Sequence, residues 1–305
     1  MVEKLFLDQN IERLGSFVDK HLSQKNNIDE TPPISIIEFS INGACNRRCH
    51  FCPRVSEANY PNIYISLNMV VYENLLRDLQ KINFDGRFTY SGFSEPLLTK
   101  NLDQYVSLAR NYLPNINIGI VSNGDSLLGK NAEKKLRKLY EAGLNDIKIS
   151  LYDGPEQRPY FIELQKKLNL NDNQYIIRDR FLSPEKSYGI TISNRAGSVS
   201  LKNDVFELKP LTEPLKKPCH YPFFKVLIDY NGDVLMCSND WKKEKIHGNI
   251  NSTSLVDIWK NESFLKKRKK LICGNREDKP CNVCDVDGTL NGKASFDRWK
   301  NYLSK

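Results

Sequence analysis

Apolar residues recur along the chain at two different spacings, and segments of the two kinds alternate. Short apolar runs such as 34–41 and 116–122 predict buried β-strands, because strands covered on both faces lose their polar alternation. Segments with apolar residues three and four positions apart, such as the one that ends at Gly143, predict amphipathic helices. Such alternation favours a parallel sheet, since parallel strands need crossover connections that are usually helices.

Six strands with intervening helices account for the central part of the chain. The predicted strands are 34–41, 87–92, 116–122, 147–153, 174–181 and 188–193. The predicted helices are 66–82, 101–113, 132–143 and 161–168. Six βα units are too few to close an eight-stranded barrel, so we expect the α/β class and an open, partial (β/α)6 TIM barrel. Functional residues should then follow the carboxyl ends of the strands.

Smaller units flank this predicted barrel. Apolar residues at helical spacing over 5–22 predict one packed helix, and the polar stretch 23–33 predicts a linker. Beyond about 200, Asn231-Gly232 joins two β-rich runs and predicts a hairpin. The expected division is an N-terminal helix and linker, a partial barrel, and a small C-terminal domain of a β-hairpin plus helix, over residues 1–33, 34–200 and 201–305.

Composition narrows the class of protein. Of 305 residues, 40% are hydrophobic and 27% are charged, values typical of a folded globular chain. No apolar run reaches the roughly 20 residues of a membrane helix, and the N-terminus lacks an apolar export signal, so we expect a cytoplasmic protein with no membrane partner. The net charge of +8 is spread along the chain, so we expect no nucleic-acid partner.

Eight cysteines carry the main chemical signal. In the cytosol disulfides are rare, which leaves ligands, nucleophiles or core thiols. Cys45, Cys49 and Cys52 form C-x3-C-x2-C directly after the first strand. Three thiolates can hold a four-iron cluster and leave one iron open to a small molecule, much as a catalytic zinc keeps an open position. A zinc site would need a second ligand pair nearby, and no further cysteine occurs before residue 219.

A second set of cysteines lies in the last third of the chain. Cys219 and Cys237 flank the predicted hairpin, whose turn would bring them together, and Cys281 and Cys284 form C-x2-C. On spacing alone, these four thiols suit a zinc ion and an iron–sulfur cluster equally well. Cys273 is left without a partner set, as a core thiol would be.

With these motifs the chain resembles the radical S-adenosylmethionine (SAM) enzymes, and its C-terminal part resembles the SPASM/twitch auxiliary-cluster domains. Similar enzymes include aminocyclitol and sugar dehydrogenases and epimerases of aminoglycoside pathways. The resemblance implies SAM and two 4Fe–4S clusters as cofactors, and a 5′-deoxyadenosyl radical that abstracts hydrogen from the substrate. The first three cysteines would hold the radical cluster, with Phe51 as the usual aromatic residue before the third. Cys219, Cys237, Cys281 and Cys284 would hold the auxiliary cluster.

The resemblance also assigns cofactor-binding residues at successive strand ends. The segment 91–96, SGFSEP, resembles the GGE motif that contacts the methionine amino group, with Glu95 as its best match. Residues 122–123 resemble the motif at the third strand, and residue 150 resembles the ribose contact at the fourth. The positions implied to bind SAM are Gly92, Phe93, Ser94, Glu95, Ser122, Asn123 and Ser150.

Candidate substrate residues come from later segments. At the end of the fifth strand we expect only one of Arg178 and Arg180 to face the barrel mouth, and assign Arg178 to cofactor binding; a surface ion pair with Asp179 is the alternative. Arg195, in the glycine-bearing loop after the sixth strand, is a candidate catalytic contact. Cys273 is a candidate hydrogen-atom donor, because it has no ligand role.

Taken together, these features predict a radical SAM oxidoreductase or epimerase. It would abstract hydrogen from a small polar substrate such as a sugar, an aminocyclitol or a sugar nucleotide, with the auxiliary cluster relaying an electron and a flavodoxin or ferredoxin as electron donor. Two alternatives remain. One is radical modification of a ribosomal peptide or protein side chain, although a single N-terminal helix offers little for peptide recognition. The other is a zinc-stabilised binding module without catalysis.

Overall fold

The structure, a computed structural model, describes residues 7–25 and 31–305. The helices in this part of the chain are α1 Gln9–Ser23, α2 Met69–Lys81, α3 Leu102–Tyr112, α4 Ala132–Glu141, α5 Arg158–Lys167, α6 Leu255–Trp259, α7 Glu262–Ile272 and α8 Lys293–Leu303. None of them is both long and apolar enough to span a membrane. Residues 5–6 of the predicted first helix and 26–30 of the predicted linker lie outside the described residues.

The strands define one large sheet and two small ones. They are β1 Ile36–Phe39, β2 Asn42–Gly43, β3 Ile63–Ser66, β4 Arg87–Tyr90, β5 Asn117–Ser122, β6 Asp146–Leu151, β7 Tyr175–Asp179, β8 Leu201–Lys202, β9 Glu207–Leu208, β10 Lys225–Ile228, β11 Asp233–Leu235 and β12 Gly248–Asn249. The large sheet has the order β12-β11-β10-β1-β4-β5-β6-β7. In this sheet β1, β4, β5, β6 and β7 pair in parallel, and helices connect β4 to β5, β5 to β6 and β6 to β7. This arrangement confirms the α/β class and the partial barrel.

The sixth strand predicted over 188–193 does not form. Residues Pro184–Gly189 make short 3-10 turns, within which Ser187 and Tyr188 have positive φ angles that are incompatible with a strand. The sixth parallel strand is instead β10, which pairs with the opposite side of β1 and places Lys225 beside Ile36. The apolar pattern of 188–193 is typical of a strand, but this segment has no neighbouring strand to pair with.

The C-terminal hairpin at Asn231-Gly232 is confirmed, since β10 and β11 pair antiparallel. Because β10 also pairs with β1, the C-terminal unit continues the barrel sheet. The boundaries 34–200 and 201–305 therefore stay a prediction. Helices α6 to α8 close this end around Arg268, whose guanidinium lies 3.8 Å from the ring centres of both Trp259 and Trp299.

The two faces of the barrel sheet differ in chemistry. The outer face packs on helices α2 to α5 through fully buried residues such as Phe39, Phe88 and Leu76. The inner face is charged: buried Arg87 donates to both carboxylate oxygens of buried Asp146 at 2.7 and 2.9 Å, and Lys148 also contacts Asp146. The interior of the barrel is therefore partly charged rather than a wholly apolar core.

The buried network around Asp146 predicts a large effect on stability. Asp146→Asn leaves Arg87 and Lys148 as buried cations without a carboxylate, so we expect a loss of about 3–5 kcal/mol in the free energy of unfolding. The control Asp78→Asn breaks an exposed pair with Lys81 and should cost less than about 1 kcal/mol. Unfolding monitored by circular dichroism on equally reconstituted proteins provides the measurement. Equal small losses in both variants would contradict the network.

Candidate active site

The first cysteine motif forms a loop at the mouth of the barrel, directly after β2. Within this loop the Cys52 amide donates to the Cys49 carbonyl at 2.9 Å, and the Cys45 amide donates to Asn62 Oδ1 at 2.9 Å. All three cysteines line one cavity of about 420 Å³. Burial raises the pKa of the Cys49 thiol to about 12, so a thiophilic ion must compete with a tightly held proton there.

Arg54 connects the cysteine loop to the loop after β4 through hydrogen bonds. Its buried guanidinium donates to the carbonyl oxygens of Phe93 at 2.5 Å and Gly43 at 3.0 Å, and to Asn62 Oδ1 at 3.0 Å. Sequence reasoning missed this residue. Its only sequence signal is a cation two positions after the third cysteine, within a segment that the fold buries.

Arg47 makes the corresponding connection to the loops after β5 and β6. Its guanidinium donates to both oxygens of Asp125 at 2.6 and 2.8 Å, and to both oxygens of Asp153 at 2.6 and 2.7 Å. The guanidinium also lies 5.2 Å from the centre of the Tyr152 ring, and it lowers the pKa of Asp153. The cysteine loop is therefore held to three separate strand ends.

Glu95 lies at the centre of the predicted cofactor pocket. Its carboxylate accepts hydrogen bonds from Ser122 Oγ at 2.8 Å, the Asn123 amide at 2.8 Å and the Leu97 amide at 3.0 Å. Burial nevertheless raises its pKa. Glu95 thus joins the ends of β4 and β5, and it still faces the cavity.

The structure brings nearly all of the predicted SAM positions together. The residues from that prediction that line the cavity with the three cysteines are Phe51, Gly92, Phe93, Ser94, Glu95, Ser122, Asn123 and Ser150. Phe51 stacks on Tyr152 and Tyr188, with ring centres 6.1 and 5.4 Å apart. The roles of these residues stay a prediction.

The assignment of Arg178 needs correction. Residues two apart on a strand share a face, so strand alternation does not distinguish Arg178 from Arg180. Both are buried and bind the carboxylate of Asp8, at 2.7 and 2.6 Å. Arg180 lines the cavity whereas Arg178 does not. Asp8, just before α1, had no sequence signal because its partners are about 170 residues away.

Another part of the cavity wall is polar and carries both signs of charge. Arg195 lines it as predicted and donates to Asn239 Oδ1 at 3.3 Å. Sequence reasoning missed Glu38 and Lys225, whose charged atoms are 3.5 Å apart in this wall. A lone acid within the apolar run 34–41 was the signal for Glu38.

The second cysteine set lines a separate, smaller cavity. Cys219, Cys237, Cys281 and Cys284 surround it, and burial raises the pKa of Cys219 to about 12. Three residues of its wall, Tyr221, Asn239 and Val286, also line the large cavity. The first cysteine set therefore lines the large cavity, and the cavity of the second set adjoins it.

Cys273 is not part of either cavity. It caps the C-terminus of α7 and its side chain is exposed, which contradicts its assignment as a catalytic hydrogen-atom donor. It is a surface thiol.

The donors at both cysteine sites fit iron–sulfur clusters. Groups of three and four thiols, without imidazole or carboxylate, are the ligand sets that such clusters take. In residues 7–25 and 31–305 no three His, Cys, Asp or Glu side chains gather closely enough for a single metal ion. A cube of four iron and four sulfur atoms is larger than one ion and takes ligands that are spaced further apart.

Comparison with known proteins defines the class. Residues 39–178 match the radical SAM superfamily, and residues 219–285 match the SPASM iron–sulfur cluster-binding domain. The chain therefore contains a radical SAM domain and an auxiliary iron–sulfur cluster-binding domain. The predicted class, and SAM and iron–sulfur clusters as cofactors, are thereby confirmed.

Two relatives are similar over most of their length. The S-adenosyl-L-methionine-dependent 2-deoxy-scyllo-inosamine dehydrogenase of Niallia circulans is 28% identical over 253 residues, which cover 82% of this chain and 92% of that protein. The crystal structure of BtrN in complex with AdoMet and 2-DOIA matches with a TM-score of 0.70 at 26% identity, and covers 86% of this chain and 97% of that one.

Other matches are partial or show only the fold. A GTP 3′,8-cyclase of Campylobacter curvus is 26% identical over 145 residues, which cover 45% of this chain and 40% of that protein. The structure of anSMEcpe with bound AdoMet has a TM-score of 0.58 at 14% identity and covers 89% of this chain and 97% of that one. These matches therefore support the shared architecture without indicating a substrate.

The first cysteine motif predicts a clear difference between two cysteine variants. Cys49→Ala should load roughly four fewer irons per chain and form no 5′-deoxyadenosine from SAM, because a cluster with two protein ligands is not retained. Cys273→Ala, the control, should keep both the iron content and SAM cleavage. Anaerobic reconstitution with iron and sulfide analysis, and chromatography of 5′-deoxyadenosine, measure the two properties. SAM cleavage by Cys49→Ala at the wild-type rate would disprove the assignment.

Proposed function

We propose that this chain oxidises a secondary hydroxyl group of a small aminocyclitol to a ketone. The observation that carries the proposal is the large cavity between the two cysteine sets. Cys45, Cys49 and Cys52 line this cavity, and Tyr221, Asn239 and Val286 belong both to its wall and to the wall of the four-cysteine cavity. A substrate in between is close both to the site of hydrogen abstraction and to an electron acceptor.

The overall reaction balances without an external oxidant. Bound SAM and the radical cluster supply an oxidant that takes a hydrogen atom from the carbon that bears the hydroxyl group. The substrate radical then loses the hydroxyl proton and one electron, and becomes a ketone. Cleavage of SAM consumes one electron, and the electron that the substrate radical releases offsets it. The four cysteines of the auxiliary site would hold the cluster that accepts the released electron, and the proton would pass to a base or to solvent. Alcohol and SAM thus yield ketone, methionine, 5′-deoxyadenosine and one proton.

The polar lining supports a substrate with hydroxyl and amino groups. Glu38 Oε1 accepts from Ser91 Oγ at 2.7 Å, and Lys225 Nζ donates to Ser238 Oγ at 2.8 Å, so both are held at the cavity wall. Arg180 and Arg195 add positive charge to the same cavity. The dehydrogenase relative is named for 2-deoxy-scyllo-inosamine, and the BtrN structure holds 2-DOIA, which favours an aminocyclitol over other polar substrates.

Oxidation is favoured over epimerisation by the position of the one unassigned thiol. An epimerase returns a hydrogen atom to the substrate radical, and a cysteine thiol is a common donor. Cys273 is exposed and does not line the cavity. The seven other cysteines belong to the two proposed cluster sites. Electron removal therefore accounts for the arrangement better than hydrogen return.

The direct test uses 2-deoxy-scyllo-inosamine as substrate under anaerobic conditions, with SAM and a reductant. We expect 5′-deoxyadenosine and a ketone in equal amounts, with the ketone trapped as an oxime and identified by mass spectrometry. Cys281→Ala/Cys284→Ala should still form 5′-deoxyadenosine but lose ketone by more than about 10–100-fold, since even residues behind a metal ligand have effects of that size. A product of unchanged mass would refute oxidation and identify an epimerase.

For the electron donor we propose a flavodoxin or a ferredoxin. Such carriers are acidic, and the first cysteine loop has exposed side chains at Asn46, Arg48 and His50 through which another protein could approach the cluster. Arg48 is 62% exposed. Complementary charge would speed the encounter of the two proteins and make it sensitive to salt.

The donor proposal predicts a charge effect on reduction. Arg48→Glu should slow reduction by flavodoxin about tenfold or more at low salt, and should leave reduction by dithionite unchanged. The control Arg77→Glu reverses an exposed charge on α2, away from the cysteine loop. Stopped-flow absorbance of the clusters measures both rates. Equal flavodoxin rates for wild type and Arg48→Glu would exclude this loop as the docking surface.

A further inference from the structure

Two buried cations flank the four-cysteine cavity. Lys267 on α7 is 6% exposed, and Arg276, which follows α7, is 3% exposed. Most lysines and arginines of this chain reach solvent, and buried ones normally pair with a carboxylate. The groups around these two residues therefore show whether a carboxylate compensates their positive charge.

Lys267 directs its ammonium group at the segment that leads into Cys281. Its Nζ atom donates to the Asp278 carbonyl at 3.2 Å and to the Lys279 carbonyl at 3.5 Å. Its positive charge opposes the rise in the pKa of Cys281 that burial causes. The Asp278 carboxylate is 4.0 Å away and binds Lys270 at 2.7 Å. The buried ammonium group thus lies beside the segment that carries Cys281, a proposed cluster ligand.

Arg276 has a similar arrangement around Cys219. Its guanidinium donates to the carbonyl oxygens of Lys217 at 2.9 Å, Pro218 at 2.7 Å and Val286 at 2.8 Å. These carbonyl groups lie within two residues of Cys219 and Cys284. Arg276 therefore joins two of the segments that carry the cysteines, and its charge acts on Cys219 and Cys281.

Burying two cations against neutral carbonyl groups is unfavourable unless a negative charge lies nearby. Four cysteine thiolates supply that charge. A cluster held by four thiolates carries a net negative charge, which grows by one unit when the cluster is reduced. Fixed positive charges and hydrogen bonds to the ligand sulfurs stabilise the reduced state more than the oxidised state, and so raise the reduction potential.

We propose that Lys267, supported by Arg276, raises the reduction potential of the auxiliary cluster and so makes it a better acceptor for the substrate electron. Lys267 acts through Cys281 and does not touch substrate, so it is a positioning and tuning residue. The purpose given to this tuning rests on the proposed dehydrogenation, whereas the potential itself can be measured without substrate.

The test measures the midpoint potential of the auxiliary cluster by redox titration with electron paramagnetic resonance. The background is full-length Cys45→Ala/Cys49→Ala/Cys52→Ala protein, which leaves the auxiliary cluster as the only signal. Lys267→Met should shift the midpoint to a lower potential at unchanged iron content. Lys267→Arg should restore most of the wild-type potential, because it keeps the charge.

The matched control is Lys269→Met, which removes an exposed charge from the same helix and should leave the midpoint unchanged. A wild-type potential in iron-loaded Lys267→Met would overturn the proposal, as would equal shifts in Lys267→Met and Lys267→Arg. If Lys267→Met loads less iron than wild type, Lys267→Gln takes its place in the comparison. A wild-type midpoint potential in iron-loaded Lys267→Gln would likewise overturn the proposal.

The outcome also separates this proposal from the proposed function. Zinc instead of iron in the wild-type site would refute the electron relay itself, and the tuning with it. An iron-loaded site whose potential ignores Lys267 would refute the tuning alone. Absence of ketone from 2-deoxy-scyllo-inosamine would refute the substrate assignment and leave the measured potential shift intact.

Discussion

The parallel pairing of β10 with β1 is the constraint on which the site depends. It aligns Lys225 with Ile36 and Ile228 with Phe39, so the C-terminal unit continues the barrel sheet. Cys219 precedes β10, and Cys237 follows the hairpin partner β11. One strand pairing thus sets the four-cysteine cavity beside the barrel mouth, where the three-cysteine loop follows β1 and β2. Without it, the two sites would have no fixed spacing.

Buried charge follows the chemistry of the molecule. Inside the barrel, the Arg87–Asp146 pair and the Asp8 pairs with Arg178 and Arg180 are satisfied by opposite charge. At the auxiliary site, Lys267 and Arg276 donate mainly to carbonyl groups, and this contrast is the basis of the proposed tuning of the cluster. Burying an ion is unfavourable, and in this protein buried ions lie in the polar barrel interior and beside the proposed cluster site.

Local patterns predicted most of the elements and the ligand sets. Cysteine spacing identified both sites, the helical spacing located α2 to α5, and Asn231-Gly232 located the hairpin. The failures share one cause, which is that they depend on partners far away in the sequence. The segment 188–193 has strand-like composition but no neighbour, and Asp8 reaches Arg178 and Arg180 across about 170 residues.

The sequence by itself, through its resemblance to the radical SAM enzymes, indicated the class of enzyme and its cofactors. Residue type and short-range spacing indicated the cysteine sets and the strand ends that carry the site. Only the tertiary structure decided which residues face the cavity. It selected Arg180 over Arg178, excluded Cys273, and brought in Glu38, Arg47, Arg54 and Lys225. The physical reason is that side-chain direction and burial are set by strand pairing, helix packing and ion pairs between distant segments, which no local pattern encodes.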